Sequence, residues 1–315
     1  MSEIRANACP RAIEEQIEQV DRRVTGGAYS NEAAEIRHAA EIVPRLRYQL
    51  SLVKFRGSLN LGLGKPQLLL GFWSAEHGDV VLKVYGRQRP NESEVQAMWH
   101  AAGVPVVPVL SAGDHPVSWL LMPRISGQQP RPEAGPELTG HLAAVLRAAH
   151  AVFRPGVTRP RDLAAGVGGH LRRVLAAAER HGYPPPGDWE SAALKYYHAG
   201  TGTFLHGDLT VRNLLQDSAG RLLLLDTCGY TGPAEFDAAR WSARTGGAAE
   251  ATVLLTVWCQ SEPELDRRLA MRLLGLELLM EAGVREIVKE ERGIDWTVTD
   301  AETQRLLLAG SELLR

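Results

Sequence analysis

Three oxygen-bearing side chains carry the chemical content of this chain: Asp208, Asn213 five residues later, and Asp226 thirteen after that. They lie in TFLHGDLTVRNLLQDSAGRLLLLD, where two apolar runs flank the turn-like DSAG. A short strand ends at Leu205 and His206-Gly207-Asp208 opens a loop. A hairpin around DSAG then returns Asp226 to the end from which Asn213 departs. One carboxylate with one carboxamide is a poor zinc set. It suits Mg2+, a hard cation that takes oxygen ligands and keeps its other positions for water and phosphate oxygens. Asp208, just outside the strands, is left to orient a hydroxyl. The bland alternative is a capped turn beside a hairpin, since Asp and Asn are common turn residues.

These groups need elements to hold them. Upstream, LSLVKF, RGSLNLGLGKP, QLLLGFW, SAEHGD and VVLKVYG read as strand, loop, strand, hairpin and strand, an antiparallel meander with Lys83 in its third strand. A buried strand lysine with no anion nearby is expensive, and the following helix, NESEVQAMWHAAG, offers Glu94 as partner with Glu92 as the fallback. Two more short strands are expected near 106–110 and 119–122. Composition shifts across 123–136, rich in Pro, Gly and Gln, from strand-like to helical. Helices are then expected at 137–152, 162–181 and 188–198, a β island at 203–226, and helix from Phe236 onward. Ahead of the meander, residues 10–48 are charged and helical in period, with Ile13, Ile17 and Val20 on one stripe.

Composition narrows the function classes. The 315 residues are 44% hydrophobic and 23% charged with net charge −2, enough apolar material for one large domain or two lobes. Acidic and basic residues interleave, which argues against nucleic acid as a partner. Three widely spaced cysteines supply neither a disulfide framework nor a CxxC metal pair, and a reducing cytoplasm fits them. The N-terminus has charges where a signal peptide needs an apolar core, and no apolar run approaches the ~18 residues of a membrane span, so neither secretion nor a membrane partner is expected.

H-G-D-x-x-x-x-N followed by an aspartate after a hairpin resembles the catalytic loop and metal-binding segment of the aminoglycoside phosphotransferase/choline kinase family, a branch of the protein-kinase-like superfamily. Protein kinases have H-R-D and D-F-G instead; Gly207 and Asp226-Thr227-Cys228 favour the small-molecule branch. Further matches are E…GVPVVPVL after Glu94, AAVLRAAHAV ending near His150, and GYTGPAEFDAARW, similar to a segment of streptomycin-kinase-like members. The resemblance runs from about Gly57 to Arg244. It implies an α+β, bilobal fold: a helical N-terminal extension (1–50), a small antiparallel N-lobe with one helix (51–122), a hinge (123–136) and a mostly helical C-lobe (137–315).

The resemblance also assigns roles. Asp208 becomes the catalytic residue, Asn213 and Asp226 the Mg2+ ligands, and Lys83, partnered by Glu94, the contact to the triphosphate of ATP, with GTP as the alternative. Gly57 and Ser58 open the stretch 57–64 in the place of the nucleotide-covering loop, and the backbone at Met122 and Arg124 is the expected hinge contact to the base. His206, like His150, shapes the loop, and Asp237 braces it through its backbone. Arg212, where many relatives have His-Pro-Gly after Asp-Leu, either meets the γ-phosphate or pairs with a surface carboxylate.

The resemblance further implies that the acceptor is a small hydroxylated molecule whose binding groups come mostly from the C-terminal helices. Residues 261–315 carry twelve acidic side chains against eight basic ones, which suits a cationic antibiotic and equally an ordinary solvated face. Glu277 and Glu281, four apart, are the candidate acceptor carboxylates, with Trp258 and Trp296 as stacking surfaces. An antibiotic phosphotransferase of resistance or self-protection is the leading reading. A metabolic kinase for a sugar, amino sugar or amino alcohol is the alternative, and a non-catalytic nucleotide-binding module the third.

Overall fold

The structure, a computed structural model, describes residues 30–59, 67–131, 135–152, 161–164, 189–199, 202–291 and 301–315, with isolated positions 13, 14, 18, 171, 172, 174, 176 and 179. Expectations resting on Ile17, Val20, residues 60–64, Trp296 and most of 162–181 lie outside these. The chain divides into two units: one with the described residues up to Ser93 and Val107–Ser126, the other with Glu94–Val106 and most described residues from Gly127 onward.

In the first unit α1 (Ser30–Gln49) precedes β1 (Leu52–Ser58), β2 (Gln67–Ser74) and β3 (Gly78–Tyr85); after α2 (Pro90–Ala101) come β4 (Ser111–Gly113) and β5 (Trp119–Pro123). The five strands form an antiparallel sheet of order β1-β2-β3-β5-β4. Ile36, Ala39, Val43 and Leu46, spaced three and four apart, make one stripe of α1, and that stripe shares a core with Leu68, Leu70, Phe72, Val80, Leu82 and Val84. Each of these side chains other than Ala39 contributes about 1.5–3 kcal/mol on full burial. The helical segment just before the sheet is therefore part of the small unit's core. It crosses the chain so closely at Gly86 that a Cβ there would lie 2.2 Å from the Glu35 carbonyl oxygen. Alternation along β3 gives Val80, Leu82 and Val84 to the α1 side and turns Lys83 to the opposite face.

One strand is displaced from its expected place. Residues 106–110 make a single bridge, Val106 to Leu224, and the strand forms at Ser111–Gly113. Pro105 and Pro108 lack the N–H a ladder needs.

The second unit contains β6 (Gly127–Gln128), α3 (Gly135–His150), β7 (Arg161–Asp162), α4 (Trp189–His198), β8 (Thr203–Leu205), a 3-10 turn at Val211–Asn213, β9 (Leu214–Asp217), β10 (Leu222–Leu224), β11 (Tyr230–Gly232), α5 (Glu235–Ser261), α6 (Arg267–Glu291) and α7 (Ala301–Leu314). Two small sheets, β10-β9-β6 and β7-β11-β8, sit among the helices. The three-residue β11 went unread because alternation cannot show in so short a run. Helix α5 is kinked at Gly247, whose backbone is non-helical. Trp99, Leu146, Phe204, Phe236, Trp241 and Leu273 are fully buried in one core. Among the described residues no helix is long and apolar enough to cross a membrane.

Just beyond α5, burial lifts the Glu262 carboxyl from its usual 4.5 to about 7; His150 opposes the shift and Glu264 adds to it. A carboxyl raised in the folded state keeps a proton that the unfolded chain has released. Stability is therefore expected to fall as pH climbs from 4.5 to 7 and then level off, by at most about 3 kcal/mol. Glu262→Gln should flatten that decline in urea titrations across the interval; an unchanged slope would assign it to another group.

Candidate active site

The loop after β8 and the β9–β10 hairpin bring Asp208, Asn213 and Asp226 together. Leu214 pairs with Leu224, and the Leu225 amide donates to the Asn213 carbonyl at 2.9 Å, so Asp226 follows directly beside Asn213. At the hairpin's far end Asp217 accepts from the amides of Ala219 and Arg221, each at 2.9 Å, which closes the DSAG turn. The Asn213 amide nitrogen donates to the Asp208 carbonyl at 2.6 Å and to Asp208 Oδ2 at 3.1 Å. That orientation turns the Asn213 Oδ1 away from Asp208.

Asp226 has φ of 56°, the left-handed region that costs a non-glycine residue about 1 kcal/mol or more. A half-buried carboxylate held so, next to a fixed amide oxygen, fits a hard divalent cation. Among the described residues no group of three His, Cys, Asp or Glu is assembled for a metal. A cation here would rest on two protein oxygens and complete its shell from solvent or substrate.

Asp237, in the first turn of α5 and fully buried, anchors the loop. It accepts from the amides of His206 at 2.8 Å and Gly207 at 2.9 Å, and His150 Nε2 lies 3.0 Å from its Oδ2. Burial pushes its carboxyl up, but the bond and charge of His150, then His206 and the Gly207 amide, outweigh that and hold it below its ordinary 3.8. Burial lowers the His206 imidazole below its ordinary 6.5, against the opposing pull of Asp237 and Asp208 nearby. Gly207 has φ of 78°, and a Cβ there would lie 2.7 Å from the Tyr230 ring and 2.9 Å from the Cys228 Cβ. A side chain at this position cannot be accommodated without moving β11, which is why glycine follows His206.

The residue that sequence reasoning passed over is Arg244. Its guanidinium lies 3.1 Å from Asp208 Oδ1 and 3.6 Å from Glu281, which also meets Arg285 at 3.8 Å. Beneath it, Arg240 is 3.1 Å from Glu277, to which the Tyr197 hydroxyl donates at 3.2 Å. Burial disfavours the Arg240 charge, but Glu277 and Asp208 beside it more than compensate and keep it firmly protonated. A signal existed: Asp237, Arg240 and Arg244, spaced three and four apart, must share one face of a helix.

Two acceptor expectations are thereby corrected. Glu277 is buried and already paired, so it cannot meet a substrate cation, and Trp258 is fully buried in the core and offers no stacking surface. Glu281 remains at the site's edge between two arginines. Arg212 is exposed in the 3-10 turn, with no ion-pair partner among the described residues.

In the first unit Lys83 is 2% exposed, and its Nζ lies 2.5 Å from Oε1 of Glu92, the fallback partner, at the start of α2. Glu94, half-buried, is about 200° further round the helix. Glu92→Gln would leave a buried ammonium without that charge, at an expected cost of about 3 kcal/mol. In a double-mutant cycle with Lys83→Met, the pair should couple by more than about 1 kcal/mol in chemical denaturation, and additive losses would refute a direct pair.

The hinge expectation also needs correction. The Arg124 amide donates to the Asp79 carbonyl at 2.9 Å, and Met122, two residues earlier in the same register, turns its amide to β3 as well. Leu121 faces the other way, accepting from the Leu110 amide. By the same alternation the Pro123 carbonyl is on the β4 side, just past Leu121, the last residue of β5 paired with β4. Gly57 and Ser58 end β1, Gly57 at φ of 118° with open space where a Cβ would be.

Comparison with known proteins agrees with this architecture. Among solved structures, the chain is similar to a putative fructosamine-3-kinase from Haemophilus somnus (12% identity over 89% of this chain and 99% of that one, TM-score 0.53). It is similar also to a Plasmodium vivax ethanolamine kinase (12%, 87% and 88%, TM-score 0.55). A third is a thermostable mutant of an aminoglycoside phosphotransferase solved with ADP and hygromycin B (16%, 84% and 97%, TM-score 0.53). At such identities the likeness establishes the fold: α+β, bilobal and protein-kinase-like. No curated protein sequence matches the chain. The model of the phosphotransferase enzyme family, however, matches residues 72–272, well over half of the length, and this chain belongs to that family.

Proposed function

We propose that the protein transfers the γ-phosphoryl group of ATP to a hydroxyl of a small molecule. The convergence of Asp208, Asn213 and Asp226 at the end of one hairpin carries this reading. Asp208 orients the acceptor hydroxyl and takes its proton as the acceptor oxygen bonds to the γ-phosphorus. The bond to the bridging oxygen breaks and ADP departs with the electron pair. Asn213 and Asp226 are the groups that would hold Mg2+, whose charge would offset that of the phosphates when bound. Lys83, kept in place by Glu92, supplies a fixed cation to the triphosphate. The Pro123 carbonyl, an acceptor just past the last β5 residue paired with β4, suits the amino group of adenine better than the oxygen of guanine, which favours ATP over GTP. An enzyme using ATP and Mg2+ belongs in the cytoplasm.

Of the two acceptor classes, the metabolic one is favoured over a cationic antibiotic. The two acidic side chains expected to attract a cation are both engaged by arginines. The test is ADP release from Mg2+–ATP across aminoglycosides, other hydroxylated antibiotics, sugars, amino sugars and amino alcohols, with Asp208→Asn as the blank. Acceptor-dependent release that disappears in the blank is the expected result. Tight nucleotide binding without release for any acceptor would favour a non-catalytic module.

A further inference from the structure

Both carboxylate oxygens of Asp208 are engaged within the second unit: Oδ2 by the Asn213 amide and Oδ1 by Arg244. On the proposed function, the acceptor hydroxyl must also donate to this carboxylate, which has lone pairs to spare. Two donors on the same oxygen, one at 3.1 Å and a hydroxyl at about 2.7 Å, stand no more than about 6 Å apart. Arg244 is thus a neighbour of the reacting hydroxyl.

We propose that Arg244 sets acceptor specificity by binding an anionic oxyacid group, carboxylate or phosphate, carried a few bonds from the hydroxyl that is phosphorylated. The inference rests on the kinase reading and adds the class of acceptor. Arg244 is 27% exposed, and apart from its contacts to Asp208 and Glu281 it has no partner among the described residues. Part of its planar fork therefore faces outward, in the geometry that pairs with an oxyacid. The surrounding charges point the same way. Glu277 is buried against Arg240, and Glu281, 25% exposed, is shared between Arg244 and Arg285, the latter 43% exposed, so two partly exposed guanidinium groups accompany one shared carboxylate on this side of Asp208. A cationic acceptor would approach two arginines and the one carboxylate they share. An acidic acceptor gains Arg244 while its hydroxyl gains Asp208, and the separation limits it to small molecules such as hydroxy acids, sugar acids or sugar phosphates.

The experiment compares kcat/KM of the wild-type protein for glycerate, homoserine and gluconate with their amides, for glycerol phosphate with glycerol, and for ethanolamine and glucosamine. Arg244→Gln and Arg244→Lys are measured alongside, with Mg2+–ATP affinity as the check on folding. An acidic acceptor should exceed its neutral counterpart at least about tenfold in the wild type. Arg244→Gln should erase that ratio mainly through KM, and Arg244→Lys should retain part of it. A preference confined to carboxylates or to phosphates identifies which oxyacid is bound. Neutral or cationic acceptors outpacing the acids, or an acid preference that survives Arg244→Gln, would overturn the proposal while leaving the kinase reading intact. No phosphorylation of any acceptor would remove both.

Discussion

Asp208→Asn is expected to reduce phosphoryl transfer about a thousandfold while nucleotide affinity and the unfolding midpoint stay close to wild type. An amide retains the shape of the side chain and can still bond to Asn213, but it cannot take the acceptor's proton. It also no longer offers a charge to Arg244, 3.1 Å away. The loss should therefore appear in kcat. Single-turnover transfer with saturating Mg2+–ATP, beside a nucleotide-binding titration, separates the two quantities. Activity within tenfold of wild type would move the proton acceptor elsewhere, whereas lost nucleotide binding would show that the substitution had disturbed the loop.

Asp237→Asn should destabilise the protein by at least about 3 kcal/mol and abolish transfer as well, although this side chain touches no reacting atom. The carboxylate receives two backbone amides and the His150 ring, whereas an amide has one acceptor oxygen and turns an N–H against one of those donors. The pH dependence follows from the direction of the shift. Asp237 is depressed in the folded protein, so its contribution is present above its ordinary value of 3.8 and is lost as pH falls through the lower folded value. The variant should start less stable at neutral pH and lose less on acidification. Urea midpoints at neutral and acid pH test both halves, and a midpoint equal to wild type would mean that the loop is anchored by other groups.

Much of this was readable from the chain. The five-residue step from Asp208 to Asn213 and the turn DSAG are local, and a tight hairpin leaves little choice about where Asp226 returns. The order of the longer strands and helices was equally accessible because alternation and helical period are properties of short windows, whereas the short strands β6, β7 and β11 were not read. The misplaced strand at 106–110 failed on local grounds too, since Pro108 within it and Pro105 just before it outweighed its valines.

The remaining features depend on how elements pack. Spacing could put Glu92 and Glu94 on one helix but could not say which way α2 is rotated, and Glu92 is the one found 2.5 Å from Lys83. Glu277 looked available on a helix face and is buried against Arg240; Trp258 looked like a platform and fills the core. Arg244 reaches Asp208 from thirty-six residues away, between a loop and a helix whose facing surfaces form only when the second unit assembles. The local spacing of the chain brings Asp208, Asn213 and Asp226, the proposed catalytic group and metal-binding neighbours, to one place, because those contacts close over short loops. Which charges confront one another beside Asp208 is settled by helix packing, since each element can satisfy its own hydrophobic period in more than one rotation and only burial against its neighbours selects among them.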